Sequence, residues 1–249
     1  MNKKILDFKK NLTILILCGG KGLRLRPVTK DTPKPLIKIK NKSILENIID
    51  YFLKFKIDDF IIATGYKHNI IDKFIKKKYK KINIKSVNTG LNSDIITRIK
   101  KTSKYSKKYL LVCYGDTLID VDLNKYILFY LSNKKKITVA SYQLESSFGI
   151  FDIKNQNQVV DFNEKPSLKI WFNVGYFIFN QNDFNIFTKF KKFKDFLKFI
   201  SKKKAMKTYK HYGRHVTINT LAELEKAKNI STNLIKWKKN YFGKIKMYS

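Results

Sequence analysis

Residues 15–36 read LILCGGKGLRLRPVTKDTPKPL, and the fold follows from how this stretch changes character. A run apolar apart from Thr13, Leu12 to Cys18, stops at Gly19-Gly20-Lys21-Gly22. Cations then appear at Arg24 and Arg26, and Lys34 stands between Pro33 and Pro35. A run apolar on successive residues is what a parallel strand buried on both faces requires. Glycines directly after it let backbone N–H groups approach a phosphate, and Arg and Lys supply compensating charge. The stretch therefore reads as a buried strand opening into a nucleoside triphosphate loop. The alternative is a strand-to-loop turn whose Arg and Lys are merely solvated.

Two better-known glycine loops do not fit. A Walker A loop needs Lys-Ser or Lys-Thr directly after its last glycine, but Leu23 and Arg24 follow Gly22. A dinucleotide fingerprint needs a third glycine where Leu25 stands. The remaining pattern, Gly-Gly-x-Gly-x-Arg-Leu followed by Pro33-Lys34-Pro35, resembles the signature of sugar-phosphate nucleotidylyltransferases.

At 249 residues and 43% hydrophobic content, the chain can bury one sizeable α/β core. Cys18 and Cys113 both fall in apolar strand-like runs and read as reduced core thiols, as in a cytoplasmic protein. No signal peptide is recognised, and Leu12–Cys18 is too short to cross a membrane. The formal net charge of +34 invites a nucleic-acid reading. The excess is mostly lysine spread along the chain, in runs such as Lys76-Lys77-Lys78 and Lys202-Lys203-Lys204 that suit solvated helix faces. Asn, Ile, Phe and Tyr are abundant too, which points to an A/T-rich coding bias. The expected partners are small anionic substrates, not nucleic acid and not a membrane.

Working outward from the loop, residues 1–10 read as a polar, basic lead-in. Ser43 is a candidate N-cap for a helix over 44–55, with apolar residues at Ile44, Leu45, Ile48, Ile49 and Phe52. Strands are expected at 60–64, 83–87 and 109–114, with helices at 70–79 and 95–101 between them. This alternation predicts an α/β fold, a mostly parallel mixed sheet with helices on both faces. Later strands are expected at 136–142, 148–153, 159–162, 171–180, 206–210 and 216–218. Helical residues are expected near 183–200 and a helix over 221–228, with Thr220 a possible N-cap. The whole of 1–249 reads as one domain, with a nucleotide lobe near 11–123 and a sugar-binding region near 136–230.

In open parallel sheets, ligands gather outside the carboxyl ends of strands. Gly19–Arg24, Gly65-Tyr66-Lys67, Thr89-Gly90 and Gly115-Asp116 all follow strands, so four loops should converge on one rim. Asp116 is the candidate Mg²⁺ ligand, because Mg²⁺ takes one or two carboxylates plus phosphate oxygens and water. An Asx-turn is the alternative for an aspartate in that place. Asp120 and Asp122 read as turn or helix-start residues. Glu164 and Lys165 could hold a sugar phosphate, or form an exposed turn before Pro166. Gly149 and Asn173-Val174-Gly175 suit a close ligand approach or a β-bulge. His68, His211 and His215 have no zinc-like spacing.

The resemblance runs from about Leu12 to Ala227, and within the family it is to glucose-1-phosphate cytidylyltransferase. Val87 to Leu91 with Arg98-Ile99-Lys100, Tyr114-Gly115-Asp116, Ser147-Phe148-Gly149, Glu164-Lys165-Pro166, Trp171 to Gly175, and Tyr209 to Gly213 followed by Asn219-Thr220-Leu221 carry it. It implies a Mg²⁺-dependent transfer from a nucleoside triphosphate, CTP first, to a sugar 1-phosphate, glucose 1-phosphate first. A guanylyl or uridylyl transfer to another sugar, and a non-catalytic binding protein, stand as alternatives. Polysaccharide synthesis and a homo-oligomer are further implications. The resemblance assigns Arg24, Lys34 and Asp116 to catalysis, and Leu17, Gly19, Gly20, Gly22, Arg98 and Gly115 to the nucleotide. It assigns Gly149, Glu164, Lys165, Asn173 and Gly175 to the sugar phosphate, and Asp116 with Asn219 to the metal. Three positions depart from the pattern. Leu23 stands for a threonine, Ile95-Ile96-Thr97 for Thr-Gly-Gly, and Asn219 for a second metal aspartate, so metal binding should be weaker.

Overall fold

The computed structural model describes residues 3–133 and 137–234. Helix α1 (Lys3–Lys10) leads into β1 (Leu12–Cys18). After the glycine loop come the small hairpin β2 (Lys38–Ile39) and β3 (Lys42–Ser43), then α2 (Ile44–Lys54), β4 (Asp59–Thr64), α3 (His68–Lys78), β5 (Asn83–Asn88), α4 (Ile95–Ser103) and β6 (Tyr109–Tyr114). Next are β7 (Thr117–Ile119), α5 (Leu123–Ser132) and β8 (Ile137–Glu145). The hairpin β9 (Ile150–Ile153) and β10 (Val159–Asn163) precedes the long β11 (Ser167–Asn180). Helix α6 (Phe193–Lys202), β12 (Met206–His211), β13 (His215–Thr217) and α7 (Leu221–Leu234) complete the described chain.

Seven strands form one sheet in the order β12-β8-β11-β6-β1-β4-β5. Pairings of β1 with β4 and β6, of β4 with β5 and of β8 with β12 are parallel, and β11 runs antiparallel to both its neighbours. A single reversed strand thus sits inside an otherwise parallel sheet, the mixed α/β architecture expected. The chain moves outward from β1 to β4 and β5, then returns to β6 on the other side of β1. The order reverses between β1 and β6, and such a switch point opens a crevice at the strand ends.

Alternation along β1 builds two cores. Ile14 and Ile16 pack with Phe52 of α2, Tyr126 of α5 and Tyr176 of β11 on one face. Leu15 packs with Ile99 of α4, Phe177 of β11 and Phe196 of α6 on the other. Helix α2 begins with a full capping box. The Ser43 hydroxyl accepts from the Glu46 backbone N–H, and the Glu46 carboxylate accepts from that of Ser43. At the far end of the sheet, Thr13 and Asn83 both donate to the buried Asp59 carboxylate and tie β1, β4 and β5 together.

Most expected elements stand within a few residues of their predicted bounds, and Asp122 caps α5 through the backbone N–H groups of Asn124 and Lys125. Two readings need correction. The lead-in is a helix whose Ile5 and Phe8 are buried, with the Phe8 ring stacked on Tyr109 at 4.1 Å. Helix α5 was not drawn as an element, although Asp122 read as a possible helix start, because LNKYILFYLS is apolar at nearly every position after Lys125 and so shows little contrast between faces. Met1, Asn2 and Lys136, the first residue of an expected strand, lie outside the described residues.

Candidate active site

The crevice holds two adjoining cavities, of about 760 and 480 Å³. Leu17, Gly20, Arg24, Gly115, Asp116 and Asn219 line both, so these residues form the wall and the opening between them. The smaller cavity is otherwise lined by Cys18, Lys21, Gly22, Leu23, Lys34 and Pro35. The larger adds Ser93, Ile95, Arg98, Tyr114, Phe172, Asn173, His215, Thr217 and Lys226 among others.

The glycine loop takes its shape from what lies beneath it. A Cβ at Gly19 would fall 1.8 Å from Nη1 of Arg98, so the loop rests directly on that guanidinium. Arg98 is only 6% exposed. Its Nη1 donates to the Thr64 carbonyl at 3.1 Å and to the Thr89 hydroxyl at 2.5 Å, and Nη2 donates to the Gly19 carbonyl at 3.2 Å. One side chain on α4 thereby joins the loops after β1, β4 and β5, at the rim where four loops were expected. Arg98 lines the larger cavity, but these donors are engaged with the protein. Burial holds the guanidinium below its usual basicity, partly opposed by Cys18 and Asp94.

Gly22 has φ of +64°, where glycine is favoured. The Thr29 hydroxyl donates to its carbonyl at 2.9 Å. Among the described residues, the backbone N–H groups of Gly20, Lys21 and Gly22 meet no acceptor in the chain and are open to solvent or to a ligand.

Four polar side chains meet where the cavities join. The Lys34 ammonium lies 2.5 Å from Asp116 Oδ2 and 3.0 Å from Asn219 Oδ1. Arg24 Nη2 donates to the same Asn219 oxygen at 3.0 Å. Asp116 sits just past β6, and Asn219 just past β13. They are brought together because β13 pairs with β7 and because the Ile218 N–H donates to the Asp116 carbonyl at 2.9 Å. The Glu223 carboxylate accepts from the Asn219 and Thr220 N–H groups, both at 2.8 Å, and caps α7 behind the site. The expected cap at Thr220 is present, its hydroxyl accepting from the Glu223 N–H.

Two oxygens converging on one positive charge are the arrangement a small hard cation needs, and here the Lys34 ammonium stands in that place. One carboxylate and one carboxamide oxygen, facing a cavity able to hold phosphates, fit Mg²⁺. Among the described residues, no group of three or more His, Cys, Asp and Glu side chains forms a metal cage.

Strand β11 brings Phe172, Asn173 and Val174 into the larger cavity. Asn173 Oδ1 accepts from the Gly175 N–H at 2.7 Å, and Gly175 has φ of +80°. A Cβ at Gly175 would collide with the Tyr114 ring, so this glycine makes room for the aromatic wall. Gly149, Glu164 and Lys165 lie elsewhere. They flank the β9–β10 hairpin and line neither cavity, and Glu164 and Lys165 pair with each other at 3.4 Å in solvent.

Several wall residues were not singled out from the sequence. Glu223 was legible, since Thr220-x-x-Glu223 is a capping-box pattern. His215 and Thr117 carried no local signal. They reach the site through the β7–β13 pairing, where Thr217 Oγ1 lies 3.1 Å from Thr117 Oγ1 and 3.0 Å from His215 Nε2. Burial, helped by His211 and Lys226, pushes the His215 pKa down to about 4, so its ring is neutral at pH 7. The Cys18 thiol under the loop is pushed well up, by burial and then by Asp116, and is inert.

A family model described as Nucleotidyl transferase matches residues 13–231. D-glycero-alpha-D-manno-heptose 1-phosphate guanylyltransferase from Campylobacter jejuni is 35% identical over 182 residues, covering 70% of this chain and 78% of the relative. Glucose-1-phosphate cytidylyltransferase from Salmonella typhimurium is 31% identical over 191 residues, covering 67% and 74%. A solved Bacillus anthracis structure, described as a candidate glucose-1-phosphate thymidylyltransferase, superposes with a TM-score of 0.72 at 19% identity, covering 94% of this chain and 98% of that one. That likeness speaks for the fold. With the family model spanning most of the sequence and two relatives above 30% identity, the chain belongs to the nucleotidyl transferase family.

Proposed function

We propose that the protein transfers a nucleotidyl group from a nucleoside triphosphate to a sugar 1-phosphate, with release of pyrophosphate. The observation that carries this reading is the meeting of Arg24, Lys34, Asp116 and Asn219 where the two cavities join. In this reading an oxygen of the sugar phosphate attacks the α-phosphorus in line. The new P–O bond forms as the bond to the β-phosphate oxygen breaks, and pyrophosphate takes the electron pair. The attacking phosphate is already ionised at neutral pH, so no general base is needed. Catalysis is then positioning plus charge stabilisation.

The unengaged N–H groups of Gly20, Lys21 and Gly22 and the guanidinium of Arg24 suit the β- and γ-phosphates. Lys34 suits the α-phosphate, where charge develops. It would exchange its contact with Asp116 for one with substrate. Asp116 and Asn219 are the residues that would hold Mg²⁺, which when bound neutralises phosphate charge. Leu17, Gly115 and Ile95 would border the nucleoside, and Asn173 and Phe172 the acceptor. Glu164 and Lys165 line neither cavity, and Lys165→Ala tests their part.

CTP and glucose 1-phosphate are the substrates suggested by Val87 to Leu91 with Arg98 to Lys100. A second reading, guanylyl transfer to a heptose 1-phosphate, is favoured by the higher identity to the Campylobacter jejuni relative and by Ile95-Ile96-Thr97 in place of the expected base-recognition residues. The deciding experiment measures pyrophosphate release with each of four triphosphates, against glucose 1-phosphate and a heptose 1-phosphate, with Mg²⁺ and with EDTA. Release with CTP and glucose 1-phosphate supports the first reading, and release with GTP and the heptose phosphate the second. Nucleotide binding without release from any pair would make the protein a binding relative and overturn the proposal.

A further inference from the structure

A row of hydrogen bonds joins the wall of the larger cavity to Asp116. His215 Nε2 lies 3.0 Å from Thr217 Oγ1, that oxygen lies 3.1 Å from Thr117 Oγ1, and the Thr117 hydroxyl donates to Asp116 Oδ1 at 3.3 Å. The other Asp116 oxygen, Oδ2, faces Lys34. Pairing of β13 with β7 sets Thr217 opposite Thr117, so the backbone ladder holds the row together.

The protons give this row a direction. A carboxylate can only accept, and each threonine hydroxyl has one proton to give. The Thr117 proton goes to Asp116, because Oδ1 has no other donor among the described residues. Thr117 must then accept from Thr217, and Thr217 from His215. The reverse direction would turn a lone pair of Thr117 toward the carboxylate. The row therefore requires the His215 tautomer with its proton on Nε2, and Nδ1 is left with a bare lone pair. Burial, the chief cause of the His215 pKa of about 4, agrees with a ring that carries one proton at pH 7.

The ring is packed against Tyr142 and Phe172, with centroids 5.1 and 5.3 Å away, which fixes its orientation. Nδ1 meets no partner among the described residues and is not sealed from water. His215 and Phe172 both line the larger cavity. Beside them, Thr117 and Thr217 are engaged in the row, and Asn173 Oδ1 accepts from the Gly175 N–H. Nδ1 is thus a side-chain acceptor left over for a ligand.

We propose that His215 is a specificity-determining residue for the acceptor: held in the Nε2–H tautomer by Thr217 and Thr117, it presents Nδ1 to the larger cavity and takes a hydrogen bond from a hydroxyl of the sugar 1-phosphate. This inference rests on the acceptor reading proposed above. The same row steadies Asp116 through Oδ1 and leaves Oδ2 facing the place of the cation.

Nitrogen NMR on the isotope-labelled full chain, in EDTA at pH 7, reads the tautomer directly. The expected result is a proton on Nε2, and an Nδ1 resonance that moves when glucose 1-phosphate or a heptose 1-phosphate is added, with or without a triphosphate. Thr217→Val removes the partner that fixes the tautomer, so the Nδ1–H form should rise. His215→Phe keeps a ring between Tyr142 and Phe172. It should raise the KM for the sugar 1-phosphate roughly tenfold, through loss of one hydrogen bond, and leave the KM for the triphosphate unchanged. Melting curves check that both variants fold. A wild-type His215 protonated on Nδ1 overturns the proposal, and so does an Nδ1 resonance that neither sugar phosphate moves. An equal rise in both KM values would make the role of His215 structural and overturn it too. A chain that releases no pyrophosphate from any substrate pair overturns the function proposed above, while the NMR titration still decides the part of His215.

Discussion

Arg98 occupies the space that a side chain at Gly19 would need, its Nη1 lying 1.8 Å from the position of a Cβ there. The glycine and the arginine are thus one device, and changing either disturbs the other. Gly19→Ala should lift the loop off its support and cost about 1–3 kcal/mol by overpacking. In an Arg98→Ala background the same change should cost much less, because the obstacle is gone. A double-mutant cycle on thermal stability and pyrophosphate release checks this. Additive costs would show that the contact does not set the loop.

Lys34 and Asp116 form the ion pair at the junction of the cavities. Lys34→Met and Asp116→Ala should each lower turnover on the order of a hundredfold or more, with the melting temperature little changed. Asp116 is a quarter exposed, so its loss should fall on function more than on folding. Steady-state pyrophosphate assays beside a melting curve separate the two, and full turnover in Asp116→Ala would remove that residue from the chemistry.

Asn219→Asp should strengthen metal binding. The Asn219 oxygen already faces Arg24 and Lys34, so a carboxylate there would be welcomed by both cations before metal arrives. The Mg²⁺ concentration giving half-maximal rate should fall roughly tenfold, because added ligand charge raises affinity for a hard cation. Titration of the rate against Mg²⁺ gives the answer. Unchanged midpoints would place Asn219 outside the metal's reach.

His215 predicts an acid-sensitive fold. Its folded pKa, about 4, lies below the ordinary value of 6.5, so between those pH values the unfolded chain binds more protons. The stability this neutral ring confers is complete above pH 6.5 and is lost as pH falls from 6.5 through 4. His215→Asn should flatten that part of the stability curve while leaving the fold intact at pH 7. Urea unfolding at pH 7, 6, 5 and 4.5 measures it, and identical pH slopes in both proteins would exclude the residue.

The parallel half of the fold was legible because each strand is a short apolar run ending in glycine or a polar turn. The Tyr109–Tyr114 strand was placed to the residue. Helix α1 was hidden by its lysines, since only Ile5 and Phe8 mark its buried side. Within the site, Arg24, Lys34 and Asp116 could be read from local pattern. Their approach to Asn219 was implied by likeness, but the cause is the β7–β13 pairing, a contact between residues about a hundred apart. Arg98 was expected at the nucleotide, and its engagement with Thr64, Thr89 and Gly19 depends on packing beneath the loop that no spacing reveals. The resemblance assigned Gly149, Glu164 and Lys165 to the sugar phosphate together with Asn173 and Gly175, yet these three flank a separate ribbon and line neither cavity.

The one reversed strand has a consequence for how such a protein can change. Because β11 runs against its neighbours, it begins at the rim where they end, and its first half, through Phe172 and Asn173, forms a wall of the larger cavity. The residues proposed to face the triphosphate come chiefly from other segments, the loops after β1 and β6. In the proposed reading, donor and acceptor are met by stretches of chain more than fifty residues apart. On that reading, replacements along Trp171 to Val174 would alter which acceptor is taken while the phosphate machinery is inherited intact, so one scaffold could diversify its products piece by piece.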